Sequence, residues 1–282
     1  MLLVFDSNYV SWVISSAFWR GLSYDGNRTE IIFGFMKQLV SLFENFEPDQ
    51  VAFCWDSRQS KRRDIYPEYK NNRRKDMLEE DKDALNLIYA QFEEMKSYTL
   101  PALGFSNVFE VNGYESDDLI ANVVWGKNPD ETIVISSDTD LYQLLDYCSI
   151  YAITKGQTTN KEIFRRHYGI EPIQWVKVKA IAGCSTDNVK GIMGIGEKKA
   201  IDYLIGKLNK GKMFLKIEDS QEIIGRNIQL VALPFAGTPT PKLRKNTLTM
   251  DKFRSICREY GMDSLLEKKS LAKWEKNSLK IV

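Results

Sequence analysis

Carboxylates lie where apolar runs end at four separate places in this chain. Val4-Phe5 meets Asp6, and Phe53-Cys54-Trp55 meets Asp56. Ile133-Val134-Ile135 is followed by Asp138 and Asp140. Residues 108–111 lead through the turn signal Asn112-Gly113 to Glu115-Ser116-Asp117-Asp118. On a helix, Glu115 and Asp118 share one face and Asp117 is rotated off it. Acids crowded in this way repel one another, so a fold tolerates them in open water or around a cation.

The spacing between these runs constrains the architecture. Strands are expected at 2–5, 51–55, 108–111, 132–136 and 149–153. Helical spacing is expected at 8–20, 30–46, 77–100 (stopped by Pro101), from the acidic cluster onward, and at 141–145. Strands alternating with helices predict an α/β fold with a mostly parallel sheet covered on both faces. In such sheets the functional crevice opens beyond the carboxyl ends of the strands, where these acids fall. After about residue 160 the strand signal fades. Pro172 opens a helix toward Ala182, three glycines between Gly191 and Gly196 make a tight turn ahead of another helix, and 234–241 reads as a loop. A further helix spans 251–260. The expected division is a domain over 1–170, with a basic loop or helical arch at about 58–100, and a helical region over 171–282.

Composition narrows the chemistry. A 282-residue chain with 43% hydrophobic and 27% charged residues is ordinary for a soluble globular protein. No apolar run approaches the ~18–20 residues of a membrane span. The first residues turn acidic too early for a signal peptide. Cys54, Cys148, Cys184 and Cys257 are far apart with no CxxC pair, which fits reduced thiols in a cytoplasmic protein. The lone His167 has no triad or metal pair nearby and reads as a surface histidine. The net charge of +1 hides an asymmetry: residues 58–75 hold eight basic and two acidic side chains, so that window carries +6 and the remainder −5. Tyr66 and Tyr69 interleave with the cations, a combination suited to single-stranded nucleic acid. The acids suit Mg²⁺, which takes oxygen ligands and retains water, and paired ions of this kind serve phosphodiester displacement. An acidic metal site with a basic aromatic clamp points to a nuclease.

The same residues carry a resemblance. Asp6, Phe53-Cys54-Trp55-Asp56, Tyr66-Pro67-Glu68-Tyr69-Lys70-Asn71-Asn72-Arg73, Glu115-Ser116-Asp117-Asp118, Ser136-Ser137-Asp138-Thr139-Asp140-Leu141 and Thr186-Asp187-Asn188…Gly194-Ile195-Gly196-Glu197-Lys198 follow in order over residues 1 to about 205. They are similar to bacterial and phage 5′-nucleases, which include flap endonucleases and the N-terminal domain of DNA polymerase I. The resemblance implies a PIN-like domain with a helical arch and a helix–three-turn–helix for duplex DNA. It also implies 5′→3′ exonuclease and flap endonuclease activity on DNA with 5′ flaps, nicks or free 5′ ends. RNA primers on DNA are a further implied substrate, and a monomer the implied state. By position, Asp6, Asp56, Glu115, Asp117 and Asp118 would hold a first Mg²⁺. Asp138, Asp140 and Asp187 would hold a second, with Mn²⁺ able to substitute. Lys70 would contact the scissile phosphate, assisted by Arg73, with Tyr69 stacking on a base. Arg58, Lys61, Arg62, Gly194, Gly196, Lys198 and Lys199 would contact DNA, and the glycine turn would offer carbonyls to K⁺.

One position departs from the pattern. Cys184 stands where the family usually has an aspartate, and sulfur is a poor Mg²⁺ ligand. An alternative follows: a branched-DNA-binding protein with weak or lost cleavage. A PIN-type ribonuclease would keep the acids but lack the glycine-rich turn.

Overall fold

The computed structural model describes residues 1–17, 21–74 and 79–281. Six strands form its main sheet, in the spatial order Val108–Phe109, Gln50–Cys54, Leu2–Asp6, Thr132–Ile135, Ser149–Ala152 and Gln157–Thr159. The first five run parallel and the last returns antiparallel on its neighbour. Leu2–Asp6 lies in the interior, with Leu2 opposite Gln50 on one side and Thr132 on the other. All five of its residues are buried. That is why it reads as a continuous apolar run and not as an alternating one.

Side chains along this strand alternate between two packed layers. Leu2 and Val4 join Ala52, Cys54 and Val134 under the helix Ser116–Val124. Leu3 and Phe5 join Val51, Phe53 and Ile135 under the helix Glu30–Phe46. Phe5 stacks on Phe53 with ring centroids 4.9 Å apart, and Phe105 meets Phe53 edge-on at 4.9 Å. Fully burying each such side chain is worth roughly 1.5–3 kcal/mol.

The end of the chain returns to the second layer. Phe253, on the helix Met250–Glu259, stacks at 4.2 Å on Trp274 of the helix Lys268–Ser278, and Trp274 reaches Phe43 at 5.8 Å. The segment leading there is stitched down by Asn107. Its amide donates to the carbonyls of Val51 and Arg244 and accepts from the Arg244 N–H.

Several expectations shift. The helix expected to stop at Pro101 runs on: Glu79–Glu94 passes through a π turn at Met95–Thr99 into Leu100–Leu103. Pro101 sits at the start of that last segment, where a missing N–H is tolerated. The expected starts and ends at Met77 and Arg20 lie outside the described residues. The third strand is confined to Val108–Phe109, and residues 139–144 wind as a 3₁₀ helix. The edge strand Gln157–Thr159 had no apolar alternation to announce it.

Gly104 closes the 100–103 segment at φ 103°, and its carbonyl accepts the Thr247 N–H at 2.8 Å. A Cβ there would lie 2.4 Å from the Thr247 carbonyl oxygen. Gly104→Ala should therefore lower unfolding free energy by on the order of 2–3 kcal/mol, read from urea denaturation. An unchanged midpoint would show that the returning segment contributes no tight packing.

Candidate active site

The order of the strands reverses between Leu2–Asp6 and Thr132–Ile135, so a crevice opens beyond their carboxyl ends. Asp6 stands at its floor. One of its oxygens accepts from Ser136 Oγ at 2.9 Å, the other from the Tyr9 N–H at 3.1 Å and Ser116 Oγ at 3.3 Å. Asp56 accepts the Ser116 N–H at 2.8 Å, while the Asn8 side chain holds Asp56's own N–H at 2.8 Å. Glu115 caps the helix Ser116–Val124 in a reciprocal capping box with Asp118. Asn8, Ser116 and Ser136 were not singled out by sequence reasoning, although Ser116 and Ser136 lie inside the acidic motifs.

These carboxyls work against one another. Burial, then Asp56 and Asp138, push Asp6 up to about 7. Asp117 is held well above the usual carboxylate range by burial and by Asp138, Asp6 and Asp56. Asp56 is raised by burial even though Lys70 pulls it down. Desolvation in the crevice and the neighbouring Asp140 bring Asp138 to about 6. Asp138 stands on the exposed rim, where solvent moderates the displacement. Glu115 behaves oppositely. Burial acts to raise it, but Lys70 and Arg62 overcome that and bring it to about 2. Oxygen donors of this kind, crowded and destabilised as anions, fit a hard divalent cation.

A second group of donors lies beside them. Ligand atoms of Asp140, Cys184 and Asp187 fall within 4.8 Å of one another, the one such set of three among the described residues. The loop that brings Cys184 and Asp187 here is tied to the basic segment by three hydrogen bonds. The Lys70 N–H donates to the Asp187 carbonyl at 2.9 Å, Asn188 to the Glu68 carbonyl at 2.7 Å, and Asn72 to the Ser185 carbonyl at 3.0 Å. Sequence reasoning missed Lys179. Its ammonium lies 2.9 Å from Asp140 and 3.2 Å from Glu197, and donates to Thr139 Oγ1 at 3.1 Å. Burial works against that charge, but Asp140 and Glu197 hold Lys179 protonated. Lys177, two residues earlier, is exposed, and nothing in the sequence tells the two apart.

Three assignments change. Asp118 does not join the other acids at the crevice. One of its oxygens accepts from Arg62 and the Phe235 N–H, the other from Arg62 and the Glu115 N–H, each within 3.0 Å. Arg62 is correspondingly no DNA-contacting side chain. It is 2% exposed and also donates to the Leu230 carbonyl at 2.7 Å. Tyr69, expected to stack on a base, is 2% exposed, with its hydroxyl 3.0 Å from Glu115 and 3.1 Å from Asp187. A carboxylate or guanidinium whose whole valence is used inside the fold looks the same in sequence as one facing solvent.

Lys70 does reach the acids, donating to Glu115 at 2.7 Å and lying 3.8 Å from Asp187. The Arg73 side chain lies outside the described residues. Arg58 is exposed and lies 3.6 Å from Glu93, and Lys61 donates to the Tyr114 hydroxyl at 2.9 Å. The glycine-rich turn lies farther along the surface. Gly183 and Gly191 cross so closely that a Cβ on Gly191 would lie 2.2 Å from the Ala182 carbonyl carbon. Gly196 precedes the helix Glu197–Leu204, and Gly194, Gly196 and Lys198 are exposed. At the turn expected to hold K⁺, two carbonyls accept from lysines. The Gly194 carbonyl accepts from Lys199 at 2.9 Å and the Met193 carbonyl from Lys216 at 2.6 Å.

An α/β sheet with an acid-lined crevice at its switch point and a glycine-rich helical turn beside it defines a metal-dependent nuclease type of architecture. Residues 2–192 match the family described as 5′-3′ exonuclease, N-terminal resolvase-like domain, and the chain belongs to that family. It is 32% identical over 225 residues to a 5′-3′ exonuclease of Mycoplasmopsis pulmonis, covering 78% of this chain and 70% of that protein. It is 30% identical over 270 residues to a 5′-3′ exonuclease of Bacillus subtilis, covering 86% of each. Its fold is similar to that of the T5 D15 protein co-crystallised with metal ions, with a TM-score of 0.70 at 20% identity, covering 94% of this chain and 98% of that one. Among the described residues no helix is long and apolar enough to cross a membrane.

Two outcomes follow from the charges. Arg62→Met strands Asp118 as a buried, unpaired anion and should cost on the order of 3–5 kcal/mol in denaturant unfolding. A DNA-contacting arginine would leave stability unchanged. The second concerns pH. Asp6 titrates near 7 when folded against an ordinary value of 3.8, so between those values the folded chain binds more protons than the unfolded one. Metal-free stability should therefore fall as pH rises through that window. Asp6→Asn should reduce the dependence of melting temperature on pH there, with the slope due to Asp117, Asp56 and Asp138 remaining, and a wild-type profile that is already flat would contradict the shift.

Proposed function

We propose that this nuclease hydrolyses DNA phosphodiesters near free 5′ ends, as a divalent-metal-dependent 5′→3′ exonuclease and flap endonuclease. The observation that carries this is the convergence of Asp6, Asp56, Glu115, Asp117, Asp138, Asp140 and Asp187, from distant stretches of chain, around one crevice that also holds Lys70. Membership of the 5′-3′ exonuclease family supports the polarity. The exonuclease relatives and the metal-bound T5 protein support the chemistry.

Asp6, Asp56, Glu115 and Asp117 would hold one ion, with Mg²⁺ native and Mn²⁺ able to substitute, and Asp138, Asp140 and Asp187 would help hold a second divalent ion. Bound there, such ions supply a nucleophilic water at neutral pH and neutralise the reacting phosphate. Lys70 is released from Glu115 toward the phosphate and offsets its developing charge. The buried Tyr69 hydroxyl spans Glu115 and Asp187 and fixes their spacing, and Lys179 orients Asp140. Ser116 and Ser136 hold the Asp6 carboxylate in place. No covalent nucleophile is required.

Residues 1–170 serve as the hydrolytic half, completed by Lys179 and Asp187, with the arch at about 58–100 clamping a 5′ strand through Arg58, Lys61 and Arg73. Residues 171–282 serve as the duplex-gripping half, with Gly194, Gly196, Lys198 and Lys199 on the duplex phosphates. The chain acts as a monomer on flaps, nicks and free 5′ ends, RNA primers on DNA included. K⁺ at the glycine-rich turn would share the Gly194 and Met193 carbonyls with Lys199 and Lys216. The binding-only alternative is not favoured, because Cys184 leaves the second set with its carboxylates and adds a donor.

A 5′-flap duplex incubated with Mg²⁺, Mn²⁺ or chelator tests this reading. Product should form with either ion and vanish with chelator. Asp138→Asn should slow hydrolysis by on the order of 100-fold or more with binding to the flap retained. Tight flap binding by the wild type without product in any divalent ion would overturn it.

A further inference from the structure

The two groups of donors differ in softness, and the difference rests on Cys184. The first group offers oxygen alone. In the second, Cys184 Sγ lies within 4.8 Å of carboxylate oxygens of Asp140 and Asp187. The sulfur is held in place by its backbone: Gly183–Cys184 pairs antiparallel with Val189–Lys190, and the Lys70 N–H pins the Asp187 carbonyl. Cys184 is 8% exposed, and its sulfur contacts Thr186 Oγ1 at 3.0 Å. Two carboxylates with one cysteine sulfur at this spacing suit Zn²⁺, Co²⁺ or Cd²⁺, which can displace the thiol proton, and are a poor match for Mg²⁺.

Lys179 sharpens that selectivity. Its ammonium sits 2.9 Å from Asp140, so an arriving cation must share that oxygen with a resident positive charge. A strongly hydrated Mg²⁺ gains little there from the remaining oxygens, whereas a thiophilic ion gains a metal–sulfur bond. We propose that the two sites of this nuclease take different metals, a hard ion among Asp6, Asp56, Glu115 and Asp117, and a thiophilic divalent ion bound through the Cys184 thiolate with Asp140 and Asp187. The inference rests on the nuclease reading. On binding, the sulfur–hydrogen bond is replaced by a sulfur–metal bond and the proton leaves to solvent.

Titration of the metal-free, full-length protein with Co²⁺ under anaerobic conditions tests the proposal by absorbance. A thiolate-to-cobalt charge-transfer band in the near ultraviolet is expected to saturate at a single ion per chain. Cys184→Ser should abolish the band while near-ultraviolet circular dichroism stays native, and should weaken Cd²⁺ binding by about 10–100-fold. Cys54→Ala must keep the band, because Cys54 is the other thiol near the acids, beside Asp6 and Asp117. Cys184→Asp should bind Co²⁺ without the band and reach half-maximal flap cleavage at lower Mg²⁺ than wild type. Absence of the band in a wild-type protein that cleaves flaps with Mn²⁺ would overturn the thiolate site and leave the nuclease intact. A band that survives in Cys184→Ser would also overturn it. A Cys184-dependent band without cleavage in any metal would support the site and remove the nuclease reading instead.

Discussion

Repulsion among carboxylates at the carboxyl ends of the central strands is the constraint to which the surrounding structure answers. Burial raises the proton affinity of Asp6, Asp56 and Asp117, and neighbouring acids add to it: Asp56 and Asp138 for Asp6, Glu115 for Asp56, and Asp138, Asp6 and Asp56 for Asp117. A domain of this size is stable by only ~5–15 kcal/mol, so such a cluster has to be offset locally. Three side chains do so from three directions. Lys70 donates to Glu115, Arg62 forms a two-pronged pair with Asp118, and Lys179 lies against Asp140. Fixed dipoles do the rest, with Ser136, Ser116 and the Tyr9 N–H all aimed at Asp6.

The same offsetting charges connect parts of the chain remote in sequence. Arg62 joins the foot of the basic segment to Asp118 in one helix and to the Leu230 carbonyl at the end of another. Asp118 in turn accepts the Phe235 N–H, while the Arg62 guanidinium lies 4.9 Å from the Phe235 ring. Across the crevice, Lys70, Asn72 and Glu68 grip the loop that carries Cys184 and Asp187. The geometry of the acids is thus set jointly by the sheet, the basic segment and the helical half. A displacement of the basic segment when DNA enters would be transmitted to both groups of ligands through these bonds.

The fold was legible because its strands are buried on both faces and short, so apolar runs and the acids that follow them mark the strand ends directly. The helix Glu30–Phe46 matched its expected limits because its apolar spacing is uninterrupted and a left-handed residue, Glu47, ends it. Legibility failed where tertiary partners decide the outcome. Pro101 is a stop signal only if the preceding turn stays α-helical, and the π turn before it removes that condition. Within the site, residue types and order identified the acids, yet the partner of each cation depends on which way it turns. Asp117 and Asp118 are adjacent and identical, and only the helix phase sends Asp118 to Arg62. Lys179 was invisible because a lysine in an amphipathic helix ordinarily faces water.

Charge counted along the sequence therefore overstates the nucleic-acid face of this protein. Of the eight basic residues between 58 and 75, Arg62 is spent wholly inside the fold and Lys70 is paired with Glu115. Among its described side chains, the positive charge of that window divides into an inward part, which neutralises the acid cluster, and an outward part, which includes Arg58 and Lys61. Those two parts respond differently to salt. Exposed cations that meet phosphates release counterions, and their contribution weakens steeply as salt rises. A buried pair such as Arg62 with Asp118 is screened far less. The integrity of the acid-lined crevice and any phosphate contact made by the exposed cations are consequently set by one stretch of sequence but governed by separate electrostatics, so the two can vary independently with salt.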